Sequence, residues 1–209
     1  MSNGTLWGMN DDHVEPSPYV AGLPFGQELK LPECVEWETF PFAGTLTVRP
    51  LEQPVLPEPP RHGEDGPESC DICGRADQTY LWTDEHWRLS TTEEPNGLPG
   101  TVLLWSRAHH DLTDLPAERA AEIGPMLQRA ERAVLALGGI ARVHISRWGD
   151  GAAHLHWWLF ARPEGMLQLR GSDMPLWGDT LPARSAAEWQ ASSKVIAAAM
   201  AEGGGTAHV

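Results

Sequence analysis

No apolar run in the chain approaches the about 18 unbroken residues that a membrane-spanning helix needs, so no such helix is expected. Cations are scarce: 15 Lys and Arg stand against 29 Asp and Glu, a formal charge of −14. Grip on a phosphate backbone draws on clustered Lys and Arg, so wrapping of nucleic acid is not expected. A small anionic ligand stays open, because a pocket needs only local donors. Cysteine is scarcer still. Cys34, Cys70 and Cys73 are too few and too unevenly spaced for a disulfide framework. The opening MSNGTLWGMNDD lacks the basic-then-apolar profile of a secretory signal, and the expected compartment is the cytoplasm.

What is present suffices for one core with appendages: 209 residues, 41% of them hydrophobic. Residues 1–69 are acidic and Pro-rich (SPYVAGLP, RPLEQPVLPEPP), which favours extended or turn structure and forbids long helices. Trp7, Phe25, Trp37, Phe40 and Phe42 are too apolar for a plain solvated tail. The expectation is an extended arm, draped over the core or a partner, with 51–69 as linker. From residue 70 the pattern tightens. TYLWT (79–83), WRLST (87–91) and TVLLWS (101–106) read as strands. A helix follows, with Ile123, Leu127, Ala130, Val134 and Leu137 on one face and Gly138-Gly139 as its stop. Asp114 is the candidate cap, and Pro125 predicts a kink or a late start. ARVHISR (141–147) and residues 154–161 are two further strands. Ser185 with Glu188 forms a capping box for a last helix that points Trp189, Ser193, Ile196 and Met200 inward. This order predicts an α+β domain over 70–165, an antiparallel β-sheet with packed helices, and a C-terminal extension over 166–209 whose helix packs on it.

The run AHLHWWLF (153–160) carries the first chemical signal. Residues two apart in a strand share a face, so His154, His156, Trp158 and Phe160 point one way and Leu155, Trp157 and Leu159 the other. Both faces are largely apolar, and two imidazoles buried on one of them need partners, either hydrogen-bonding groups or a metal. Cys70 and Cys73 in ESCDICG have the spacing of a zinc knuckle. A redox pair is the alternative, but it expects the head of a helix in a βαβ unit. A metal would need two more ligands, from His109 or His110 and one of the strand histidines. His13, His62 and His208 fall in arm, linker or tail, where a solvated side chain is expected. Most of the ten tryptophans must be packing residues; Trp158, on the face of His156, is the one expected at a site.

GTVLLWSRAHHDLTDL, followed about forty residues on by GDGAAHLHWWLFARP, resembles the histidine-triad superfamily, in which a strand and turn precede a long helix and a His-φ-His-φ-His-φ-φ signature lies on a later strand. In its metal ligands the chain is similar to the galactose-1-phosphate uridylyltransferase branch. The resemblance implies one structural zinc ion per chain, held by Cys70, Cys73, His109 and His154, and makes His156 the nucleophile. It implies a nucleotide hydrolase or nucleotidyltransferase that works through a nucleotidyl-histidine on a small nucleotide-type substrate, with Arg147, Asp150, Gly151 and Trp158 on the substrate side. Arg107 and Arg162 are further candidate phosphate donors. Family members commonly pair, so a homodimer is implied, unless the arm covers that edge. Two positions depart from the family pattern. Trp158 stands where the third signature residue is His or Gln, and Gly149-Asp150 where close relatives have Gly-Asn. They set the alternative: an inactive nucleotide-binding or protein-interaction module that keeps sheet and zinc but has lost the chemistry.

Overall fold

The computed structural model describes residues 24–50 and 52–209. Trp7, His13 and the start of the expected arm lie outside the described residues. Contacts divide the chain into two units, one made of the residues up to Pro32 with Gly44–Pro59, the other of Glu33–Ala43 with Pro60–Val209. In the first, residues 24–32, 44–50 and 52–59 form no helix or strand, as their proline density dictates.

The second unit is α+β. Its strands are β1 (Trp82–Thr83), β2 (Trp87–Thr91), β3 (Thr101–Ser106), β4 (Ile140–Ser146), β5 (His156–Pro163) and β6 (Thr206–Ala207). They form one sheet in the order β4-β5-β3-β2-β1-β6, and every neighbouring pair is antiparallel. β2 and β3 are dominated by β-branched, aromatic and aliphatic residues that suit a pleated, buried surface. Four helices accompany the sheet: α1 (Asp71–Gly74), α2 (Ala117–Leu135), α3 (Met174–Thr180) and α4 (Ala186–Glu202). The long pair, α2 and α4, covers one sheet face. There Ala130, Val134, Ile196 and Met200 meet Leu89, Leu104, Leu155, Trp157 and Leu159 in the main core. Full burial of a side chain of Leu or Ile size contributes about 1.5–3 kcal/mol, so this face holds most of the stabilising area.

The opposite face carries two small clusters. At one end Leu103 and Trp105 pack on Cys70, Ile72 and Tyr80; at the other Phe160 packs on Leu98 and Met174; Trp158 touches both. The alternation expected of β5 is therefore present, with His156, Trp158 and Phe160 opposite Trp157 and Leu159. The strand begins at His156 rather than at residue 154, because Leu155 leaves the ladder to bond the His110 carbonyl (2.7 Å).

Three other expectations are corrected. β1 is only Trp82–Thr83, since Asp77–Thr79 tighten into a 3-10 turn. Helix α2 starts at Ala117 and runs through Pro125, which neither delays nor ends it. Proline leaves the carbonyl four residues earlier, that of Ala121, without its donor; Ala121 and Pro125 are both exposed, so water can supply one. Asp114 does not cap that helix; it accepts the amide of Asp111 (2.6 Å). The capping box at Ser185 is present, with the Glu188 carboxylate accepting the Ser185 amide at 3.0 Å.

Candidate metal centre and active site

The C-x-x-C segment folds back on itself, the Cys73 amide donating to the Cys70 carbonyl (3.1 Å). Between the cysteines the Ile72 carbonyl accepts from Tyr80 Oη and Arg88 Nη1, each at 3.2 Å. Buried Arg88 on β2 also meets Asp77 at 3.2 Å, which ties the knuckle to the sheet. His109 arrives from the turn after β3. His154 comes from the approach to β5, where its Nε2–H donates to the Ser106 carbonyl (2.8 Å). That bond leaves Nδ1 with a free lone pair aimed at the thiols, the orientation a ligating histidine needs.

The Sγ of Cys70 lies 3.4 Å from His154 Nδ1, and the Sγ of Cys73 lies 3.3 Å from His109 Nδ1 and 3.6 Å from His154 Nδ1. All four donor atoms lie within 4.8 Å of one another. A tetrahedral zinc ion, with bonds of about 2.3 Å to sulfur and 2.0 Å to nitrogen, would set sulfur and nitrogen about 3.5 Å apart. The donor set and its spacing therefore fit such an ion. Burial raises the Cys73 thiol to about 11, helped by the adjacent Cys70, and burial also lowers His154 to about 4. Gly63 closes over the cluster. At φ +77° it brings its backbone so near that a Cβ there would lie 2.9 Å from Cys70 Cβ and 3.3 Å from His109 Cε1. His110 is not in the cluster; its carbonyl holds Leu155, and its side chain faces a cleft beside His86.

His156, two residues on, has no place in the metal cluster. Its Nδ1–H donates to the His154 carbonyl (2.8 Å), which orients the ring and leaves Nε2 as the lone-pair nitrogen. Trp105 lies against the ring with centroids 4.6 Å apart, and Trp158 stands edge-on at 6.4 Å. Burial pushes the His156 pKa down; the carbonyl contact opposes this and the charge of Arg147 adds to it. Arg147 is ion-paired with Asp111, which also takes Arg61 Nη1 at 2.7 Å. Burial alone would raise the Asp111 pKa, but the Arg61 hydrogen bond, the Leu112 amide and the charges of both arginines hold it below the usual carboxylate range. Arg61 also donates to the Gly149 carbonyl (2.9 Å), fixing the loop that leads to the histidines.

Of the residues expected on the substrate side, Arg147 acts electrostatically on His156 and Trp158 shares its face. Gly151 serves through its backbone: its carbonyl accepts the His62 amide (3.1 Å), and the Ala153 amide returns a bond to the His62 carbonyl (2.9 Å). Asp150 is exposed and makes no hydrogen bond or ion pair among the described residues. The carboxylate that acts on His156 is Asp111. Arg107 is committed elsewhere, in a two-pronged contact with Asp77 (2.9 and 3.0 Å), and Arg162 lies farther along the sheet. Sequence reasoning missed Gly63, Arg61 and Asp111. Asp111 directly follows His109-His110, a usable signal, whereas Gly63 and Arg61 sit in a stretch whose composition says only linker. The side chains of His62 and His208 are not free in solvent: His62 Nε2 accepts the Asp71 amide (3.2 Å), and His208 Nε2 meets Thr83 Oγ1 at 2.9 Å.

Sheet and cluster together describe an α+β protein with a four-donor metal knuckle beside a buried, carbonyl-oriented histidine. Among solved structures, the chain is similar to histidine-triad proteins and uridylyltransferase. A zinc-bound histidine triad family protein from Mycobacterium smegmatis is 24% identical, with 66% of this chain and 96% of that one covered and a TM-score of 0.48. A hypothetical histidine triad nucleotide-binding protein from Sulfolobus tokodaii is 14% identical over 64% of this chain and 93% of its own, with a TM-score of 0.46. A uridylyltransferase is 20% identical over 63% of this chain and 44% of its own, with a TM-score of 0.41. No family model and no curated protein matches the sequence. No helix among the described residues is long and apolar enough to cross a membrane.

Proposed function

We propose that the protein transfers or hydrolyses a nucleoside monophosphate group through a covalent nucleotidyl intermediate on His156. The observation that carries this is the His156 ring itself, whose Nδ1 lies 2.8 Å from the His154 carbonyl, so that Nδ1 is the donor and Nε2 keeps the lone pair. Attack of Nε2 on the α-phosphorus forms the N–P bond as the bond from phosphorus to the leaving oxygen or nitrogen breaks, and the ring gains a positive charge. The Nδ1–H···O=C contact stabilises that charge, because the donor becomes more acidic as it forms. In this reading Arg147, paired with Asp111, neutralises phosphoryl oxygens, and the aromatic walls keep water away so that these charges act at full strength. Water or a second phosphate then takes the phosphorus from Nε2.

Cys70, Cys73, His109 and His154 would hold zinc in this reading. With four protein ligands and no open position, the ion supplies structure, pinning the segment before β1 to the sheet. It also shares His154 with the site, since the carbonyl of that ligand is the acceptor for His156.

Incubation with nucleoside phosphoramidates, nucleotide sugars and dinucleoside polyphosphates tests the proposal. We expect turnover and a phosphoramidate-linked adduct on the intact protein, both abolished in His156→Ala; absence of both from the wild type would end the enzymatic reading. A second reading is favoured by Trp158, which lies parallel to Phe160 (5° between planes) and packs into both small clusters. In that reading the face only binds nucleotide, and calorimetry would give the same affinity for wild type and His156→Ala.

A further inference from the structure

The face that carries His156 does not end at Phe160. On β4 and β5 the register places Arg142 opposite Arg162 and His144 opposite Phe160, so these side chains share one surface. Like charges directly opposed across two strands are destabilising, and neither arginine is in an ion pair among the described residues. In a chain with only 15 basic residues against 29 acidic ones, two guanidinium groups without a carboxylate partner, of which Arg142 also donates to the Ala141 carbonyl, leave a place for an anion. His144 belongs to the same lining, although its Nε2 is itself buried without a hydrogen-bond partner. These groups line a cavity of about 670 Å³, a volume typical of small-molecule sites. Its rim presents Trp37 (53% exposed) and Leu167 (57% exposed), which nothing described covers. On one side the Arg170–Glu38 pair (2.6 Å) closes the wall with no net charge. Arg162 is six residues along β5 from His156, about 20 Å at 3.3 Å per residue. The cavity is therefore a separate place from the nucleophile.

We propose that this cavity is a second ligand site, for a phosphate monoester with a flat apolar body. The phosphate dianion lies against Arg142 and Arg162, and the ring lies against Trp37 and Leu167. Two guanidinium groups outside any ion pair match a dianion rather than a monoanion, and planar Arg donors suit phosphate oxygens. The site does not depend on any chemistry at His156.

Calorimetric titration of the full chain with 2-naphthyl phosphate, 2-naphthol, 2-naphthoate and inorganic phosphate tests it. We expect 2-naphthyl phosphate to bind at least about tenfold more tightly than each of the other three, and Arg162→Gln to weaken it about tenfold or more. His156→Asn should bind it as the wild type does. Without ligand, Arg142→Gln should unfold at the same temperature as the wild type or higher, because it removes a like-charge pair, while it also weakens binding. Equal binding by wild type and Arg162→Gln, loss of binding in His156→Asn, or naphthol or naphthoate binding as tightly as the phosphate would each overturn the assignment.

Discussion

Gly63 shows how much one residue can decide here. Its φ of +77° is strained for any side chain, and a Cβ would meet Cys70 Cβ at 2.9 Å. Gly63→Ala should therefore destabilise the fold by about 1–3 kcal/mol and reduce bound metal, read by denaturant unfolding and metal analysis. Unchanged metal content would show that the loop can give way. Trp158 decides something different. Its indole N–H can donate a hydrogen bond but does not release a proton to a leaving group. On the proposed mechanism, wild-type turnover should favour leaving groups that depart as stable anions, such as phosphates, over amines. Trp158→His should raise the rate with phosphoramidates by about 100-fold, the usual worth of a general acid, and change dinucleoside polyphosphate turnover little. A uniform change across both substrate types would show that Trp158 acts only by filling space.

At the level of elements, the knuckle depends on Asp77, which ties it to two strands. This carboxylate meets Arg107 twice and Arg88 at 3.2 Å. Its pKa is held below the ordinary value, first by the Arg107 hydrogen bonds and then, against some burial, by the charges of Arg107 and Arg88. A carboxylate depressed in this way stabilises the fold above its unfolded pKa, near 3.9, and the contribution disappears as pH falls through the folded value. Asp77→Asn should cost about 1–3 kcal/mol at pH 7 and less at pH 2, because the wild-type carboxyl loses its charge as pH falls through the folded value. Urea titrations at the two pH values check this, and an equal cost at both would mean that shape rather than charge is lost. Helix α4 was fully legible, because the Ser185–Glu188 box and the inward Trp189, Ser193, Ile196 and Met200 are local signals. α1, α3 and β6 were not, since MPLWGDT and TA form elements only where the sheet supplies partners. Pro125 misled because its cost depends on solvent access to one carbonyl, which sequence does not carry.

For the whole molecule, the same contrast separates what the sequence could show from what needed the fold. Alternation and knuckle spacing marked His154, His156, Cys70 and Cys73, since these signals lie within a few residues of one another. The convergence of Arg61, Gly63 and Asp111 is tertiary, created when residues 61–63 pair with the 151–153 loop. That convergence predicts how the protein responds to loss of metal. The main core between the sheet and α2/α4 contains none of the ligands, whereas the second-face cluster contains Cys70 and Cys73. Chelation should thus loosen the second face without unfolding the first, in the manner of a local opening. By amide exchange, protection should fall over residues 61–74 and 151–154 and persist at Ala130–Val134 and Ile196–Met200, with helical circular dichroism retained. The His156 adduct should be lost in the same sample, because its ring is oriented by the carbonyl of His154. Global loss of protection would mean that the metal sustains the entire sheet, and unchanged protection at 61–74 would mean that Tyr80 and Arg88, through Ile72, hold the knuckle without it.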